Sequence, residues 1–303
     1  MACMTHGTSP SLTNWLHLLI LGVVWGATFM VISVALEGYG PITVACARTT
    51  LAALSLLGLM AVRRTPLPSR ETARYIVSSG LLSTAIPFIA LSWGLQYVPS
   101  SFAGISMACV PLFVLPIAHF FSDERLTTRR GIGVLIGFAG ALVLIGPDAL
   151  SFGSLTVSLG QLACLFAALC YAISSVQIRN CPPVDPLAIG AFSLLVGSVV
   201  LIPLMLIFEG IPSWQGVRPG LAILILGFLP TAFATALRIL IIRSAGAVFM
   251  TLVNYQVPLW SLAYGVLLLG ESAPPSLILA LVLIFAGLFT SQFGAFKRLF
   301  FRP

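Results

Sequence analysis

Residues 111–124, PLFVLPIAHFFSDE, and residues 258–271, PLWSLAYGVLLLGE, each run from a proline to a glutamate thirteen positions on, and one shift of 147 residues carries the first stretch onto the second. The same shift takes Gly80 to Gly227, Phe102 to Phe249, and Phe138-Ala139-Gly140 to Phe285-Ala286-Gly287. The chain therefore reads as a duplication, with a first half 1–147 and a second half 148–303 meeting near Pro147. Duplicated apolar chains often build a transport site where the repeats meet.

Hydrophobic residues make up 59% of the 303 and charged residues 8%, against about 25% charged in a soluble domain. Mean hydropathy is +1.08. So little charge cannot cover a water-facing surface, and the apolar stretches are long enough to cross a hydrocarbon layer of ~30 Å at about 20 residues each. Breaks at Gly, Pro and charge predict ten spans, at 14–36, 41–62, 74–97, 101–121, 130–146, 155–178, 186–208, 219–242, 246–269 and 276–296. Lipid offers backbone groups no partner, so these spans are helices, and each is about twice the length of a barrel strand. The expected fold is an all-α membrane protein of ten transmembrane helices.

The formal charge of +7 does not point to nucleic acid, because the basic residues fall in short clusters between apolar stretches. Twelve of the fifteen Lys and Arg lie on the side shared by both termini, Arg218 lies on the other, and Arg48 and Arg238 lie within spans. Retained positive charge marks the cytoplasmic side, so both termini are expected in the cytoplasm. Five spans per half is an odd number, so the second five-helix repeat is expected to be inverted. Glu124 then sits at the cytoplasmic end of span four and Glu271 at the external end of span nine. Inverted repeats have two near-equivalent packings, one open to each face, which is the basis of alternating access. The first fourteen residues lack a basic n-region and cleavage site, so the first apolar stretch is read as a retained span. The six cysteines are scattered without CxxC or zinc spacing, and no disulfide, metal or cofactor is expected.

Five plus five spans, Trp25-Gly26 in span one, and a Pro-to-Glu segment in each half followed by a glycine-rich helix resemble the drug/metabolite transporter superfamily, EamA type. The likeness covers nearly the whole chain, and within the family it is similar to the YddG-like exporters of aromatic and other neutral amino acids. One departure is that Ser122-Asp123 precedes Glu124 where the family usually has a glycine, as Gly270 stands before Glu271. The resemblance implies a secondary transporter in a bacterial inner membrane, with small neutral metabolites, amino acids foremost, as substrates. The bilayer is its environment, and no ATPase subunit is implied.

Candidate site residues follow from helical periodicity. In span nine Thr251, Asn254, Pro258 and Ser261 share a face, with Tyr255 beside them. A proline frees a backbone carbonyl and amides at membrane depth point into protein or a water-filled cavity, so Asn254 and Tyr255 either contact substrate or bond between helices. Gly104 and Met107 in span four are the counterparts of Thr251 and Asn254 and are expected to face them. In span eight Thr231, Thr235 and Arg238 fall on one face by spacing. Arg238 offers a clamp for a substrate carboxylate, but it is about 7.5 Å along the helix from Arg243, which favours snorkelling. Arg48 lies about 10 Å inside span two, either as a ligand clamp or as the partner of Glu37. Trp25 is either a stacking surface for substrate or apolar core, and its second-half counterpart is Tyr171, near Ser175. Ser83, Thr84 and Pro87 mark a kink in span three. Pro111, Pro258, Glu124 and Glu271 are candidate gating or packing residues.

All eight carboxylates map to loops or span ends. Proton and sodium couplers commonly use an intramembrane carboxylate, so gradient-driven efflux or exchange is expected, and His119 is the remaining titratable candidate. HExxH, GxSxG, GxxxxGK[ST] and paired midplane acids are absent, which disfavours an intramembrane enzyme. A broad drug/metabolite or lipid translocator of the same fold is the alternative reading. A phosphorylated-sugar antiporter would need a midplane cluster of Lys and Arg, where only Arg48 and Arg238 stand.

Overall fold

The computed structural model describes residues 11–121, 127–145 and 155–300, and all regular structure among them is helical. The helices are α1 (Leu12–Ala35), α2 (Pro41–Arg63), α3 (Ala73–Gly80), α4 (Ile86–Gly94), α5 (Ser100–Ser106), α6 (Val110–Phe121), α7 (Thr128–Ile145), α8 (Leu155–Arg179), α9 (Pro186–Phe208), α10 (Val217–Leu226), α11 (Ala234–Ala245), α12 (Ala247–Met250), α13 (Val253–Leu269) and α14 (Pro275–Phe300). Stacked end to end, α3–α4, α5–α6 and α10–α11 each form one span. Nine stretches among the described residues are long and apolar enough to cross a membrane.

Span nine, expected at 246–269, is divided and is the one of the ten expected spans that is not among these nine. Pro258 has no N–H, so the carbonyl of Asn254 loses its α-helical donor. Just ahead of it the chain tightens into i→i+3 bonds, Asn254 N to Thr251 O at 3.1 Å and Tyr255 N to Leu252 O at 3.2 Å, which separate α12 from α13. Span four repeats the pattern, with a 3₁₀ turn at Met107–Cys109 ahead of Pro111. Spans three and eight instead carry π-helical turns, at Leu81–Ala85 and Gly227–Phe233. The 147-residue shift takes Met107 to Asn254 and 81–85 to 228–232, so the irregular turns coincide in the two halves. Such turns expose backbone carbonyls that neighbouring helices can use.

Packing follows the same relation. Helix α1 packs on α13 and on α10–α11, α8 packs on α6 and on α3–α4, and α2 packs on α9, α5 on α13 and α7 on α14. Exchanging the first five spans with the last five leaves this set of pairs unchanged. Close approach is bought with glycine at two crossings. Gly22 and Gly26 lie against Gln256 and Trp260, the GxxxG pair of α1 serving as a packing surface for α13. At the other crossing a Cβ on Gly287 of α14 would stand 2.5 Å from backbone atoms of both Gly133 and Gly137 on α7. Glu124, Pro147 and the predicted boundary between the halves lie outside the described residues.

Candidate functional site

The site is built on the seam between α2 and α10–α11. Helix α2 starts at Pro41, and its first free N–H groups are capped from the end of α9: Ile42 N donates to Glu209 Oε1 at 2.9 Å and Thr43 N to Oε2 at 2.7 Å. Two turns further in, the side chain of Arg48 is buried, with 3% of its surface exposed. Glu37 is not its partner, which corrects the sequence expectation: Glu37 pairs with Arg218 at 3.0 Å. The Arg48 guanidinium lies over the Phe88 ring at 3.9 Å and donates through Nη2 to Thr231 Oγ1 at 3.1 Å. Its Nε and Nη1 are buried without a hydrogen-bond partner among the described residues. Tyr171 is within electrostatic reach.

Thr231 is held by the π turn around it. Pro230 cannot donate to the carbonyl of Leu226, and Thr231 Oγ1 does so instead at 2.7 Å. Thr235 Oγ1 donates to Thr231 O at 2.6 Å, and Trp25 Nε1 reaches from α1 to Pro230 O at 3.2 Å. The structure thus gathers Trp25, Arg48, Thr231 and Thr235 around one π turn. Phe88, which sequence reasoning passed over, belongs with them; it follows the buried Pro87. Thr84 packs directly against Gly197 of α9, and its hydroxyl is taken by Gly80 O of its own helix. Ser83 likewise bonds to Ser79 O at 2.7 Å.

Two cavities lie on the same seam at opposite ends of the bundle. One, of about 340 Å³, is at the end where α1 begins, among His17, Arg63, Asp185, Phe233, Leu237 and Arg243. The other, of about 220 Å³, is lined by Tyr39, Thr43, Ala47, Trp214, Ile223 and Leu224. On α2 the linings stop at Ala47 from one side and resume at Leu59. Along span eight they stop at Leu224 and resume at Phe233. The stretch between them holds the Arg48–Thr231 contact and the packing of Leu51 on Gly227. At the mouth of the larger cavity Asp185 caps α9, accepting Leu187 N at 2.8 Å, and pairs with Arg243 at 2.7 Å. Burial pushes its carboxyl up, but those bonds outweigh it and hold the group below the usual carboxylate value.

Other candidates stand elsewhere. Arg238 is exposed on the bundle surface and does not share the inward face of Thr231, because the π turn uses more residues than an α turn and shifts the periodicity beyond it. Ser175 is exposed, its hydroxyl bonded to Tyr171 O at 2.7 Å. Gly104 packs on Ser261 and Phe29 rather than on Thr251, and Ser261 Oγ donates to Ser100 O at 3.1 Å. Met107 and Asn254 are half-buried at their irregular turns, and the Tyr255 ring lies 5.8 Å from that of Phe285. Pro111 and Pro258 are buried. Glu271 caps α5, accepting Ser100 N and Ser101 N. Among the described residues every Asp and Glu sits at a helix end or in a connection, and no cluster of His, Cys, Asp or Glu could hold a metal.

The chain is 26% identical over 290 residues to the uncharacterized transporter YoaV of Bacillus subtilis, covering 93% of this chain and 98% of that one. It is 28% identical to the uncharacterized inner membrane transporter YedA of Escherichia coli K12, over 89% and 87% of the two chains. A probable terminal-alkyne amino-acid exporter of Streptantibioticus cattleyicolor is 25% identical over 89% and 90%. A crystal structure at 20% identity superposes with a TM-score of 0.65 over 93% of this chain and 98% of its own, a likeness of fold. The pattern of the EamA-like transporter family matches residues 13–146 and again residues 158–292, and the chain belongs to that family.

Proposed function

We propose that the protein is a secondary transporter of small neutral metabolites, amino acids foremost, working by alternating access between two inverted five-helix halves with both termini in the cytoplasm. The observation that carries this reading is the coincidence of helix breaks under the 147-residue shift, in spans that pack in exchangeable pairs. Two packings of one architecture are what a rocking mechanism needs. The double match of the family pattern supports the two halves, and the amino-acid exporter among the relatives supports the substrate class. In this conformation the seam is closed between the two cavities, over a stretch that includes Arg48–Thr231 and Leu51–Gly227. Opening one side at a time requires spans three, four, eight and nine to move against the rest.

Purified protein in proteoliposomes is expected to take up labelled aromatic or aliphatic amino acid saturably, faster with unlabelled amino acid on the far side. No uptake and no acceleration across a broad amino-acid panel would remove amino acids as substrates. An imposed pH gradient tests coupling. Carboxylates at helix ends lead to the expectation that it drives little accumulation.

A further inference from the structure

We propose that Arg48 is the anion-binding residue of the translocation pathway and that it grips the carboxylate of the substrate. The proposal rests on the transport reading above and adds which end of the substrate is held.

A guanidinium keeps its charge in proteins, and a charge taken out of water is costly unless it is paired. Arg48 is buried, yet among the described residues its only hydrogen bond is to a neutral hydroxyl, Thr231 Oγ1, which occupies one of the two Nη2 hydrogens. The Phe88 ring face offsets part of the cost. Donors remain at Nε and Nη1 without a partner among the described residues. The acids around it are committed elsewhere. Glu37 pairs with Arg218, Asp185 with Arg243, and both oxygens of Glu209 cap α2. Among the described residues this cation therefore has no counter-ion, and a carboxylate can accept from it without breaking the Thr231 bond.

Its position makes the donors useful. Arg48 lines neither cavity as the seam stands; it follows Ala47 of the smaller one and lies between the two linings on α2, so an anion would reach it when the seam opens. A single guanidinium laid over the Phe88 ring suits a monoanion with an apolar body. A phosphate dianion would call for further cations, and Arg238 faces away. Geometry favours carboxylate, since the guanidinium edge matches its two oxygens.

Two measurements decide the matter. The first is uptake of labelled phenylalanine into proteoliposomes, competed by 3-phenylpropionate, which keeps the carboxylate, or by phenethylamine, which lacks it. Wild type is expected to be inhibited by the acid and not by the amine. Arg48→Gln should lose about tenfold or more of uptake, as expected when a charged hydrogen bond is removed, with Arg48→Lys in between. Equal inhibition by acid and amine, or wild-type uptake in Arg48→Gln, overturns the proposal while leaving the transport reading intact. The second measurement is the melting temperature in detergent with acetate, benzoate, 3-phenylpropionate or phenethylamine, which does not depend on amino acids being substrates. Stabilisation of wild type by carboxylates, absent in Arg48→Gln, supports the proposal even if phenylalanine is not transported. Failure of every carboxylate to stabilise wild type overturns it. Should Arg48→Gln not fold, Arg48→Lys and the wild-type contrast between acid and amine still decide.

Discussion

Glu271 Oε1 accepts the amide N–H of Ser100 at 2.6 Å across 171 positions of sequence, and its Oε2 accepts that of Ser101 at 3.0 Å. Two of the four unpaired donors at the start of α5 are thereby satisfied by one carboxylate, placed where the helix dipole favours negative charge. Gly270 makes the reach possible. It adopts φ +69°, and Glu271 N then closes on Gly265 O at 3.0 Å, turning the carboxylate back toward α5. Both serines are buried, so Glu271→Ala strands their N–H groups and is expected to cost about 2 kcal/mol or more. Glu271→Gln keeps an acceptor and should cost about half as much. Thermal unfolding in detergent reads both, and equal melting of the two variants would remove the capping account.

The glycines of α14 and α2 give a contrast within one protein. A methyl at position 287 meets backbone atoms of α7 that cannot swing aside, so Gly287→Ala should destabilise by about 1–3 kcal/mol. Gly58 has open space around it, and Gly58→Ala should be neutral or gain up to about 1 kcal/mol from helix propensity. Comparable melting temperatures for the two variants would show that the α7–α14 crossing is looser than the structure makes it.

Acid should loosen the cap on α9. The Asp185 carboxyl is held below its ordinary value of 3.8 by the Leu187 N–H and Arg243, after burial has pushed it the other way. A depressed carboxylate contributes its stabilisation above the unfolded value, and the contribution fades as pH falls below 3.8 through the folded one. Wild type should therefore lose more stability than Asp185→Asn on going from pH 6 toward pH 3, by less than about 1 kcal/mol for so open an ion pair. At neutral pH Asp185→Asn retains the cap and should melt above Asp185→Ala. Parallel pH profiles for wild type and Asp185→Asn would show that another group carries the acid sensitivity.

The helices and their breaks were legible because proline, glycine and apolar length act locally. Pro111 and Pro258 announce their own breaks, and the same chemistry sets the same break twice. The partners of charged residues were not legible. Arg48 and Glu37 are near neighbours along the chain, but the acid that serves α2 is Glu209, brought back by the whole length of α9, and Glu37 is drawn to Arg218. Periodicity failed in span eight for a related reason. Counting by 3.6 places Arg238 beneath Thr231, and the π turn that Pro230 sits in breaks the count. Asp123, Glu124 and Asp148 lie outside the described residues.

Trp25 separates a structural reading from a ligand reading. Its indole N–H donates to Pro230 O at 3.2 Å, so the ring ties α1 to the π turn that also holds Thr231. Trp25→Phe keeps an aromatic face but deletes the donor and one ring of the indole, which should lower stability by about 1–3 kcal/mol. If α1 must part from span eight for one cavity to open, the broken bond lies on the path to the open state. Counterflow of amino acid by Trp25→Phe should then be as fast as wild type or faster, despite the lower melting temperature, and Trp25→Ala should fall in both. A different pair of results, slower counterflow at unchanged melting for Trp25→Phe, would mean that the indole N–H serves the substrate and that Pro230 holds it only while the site is closed.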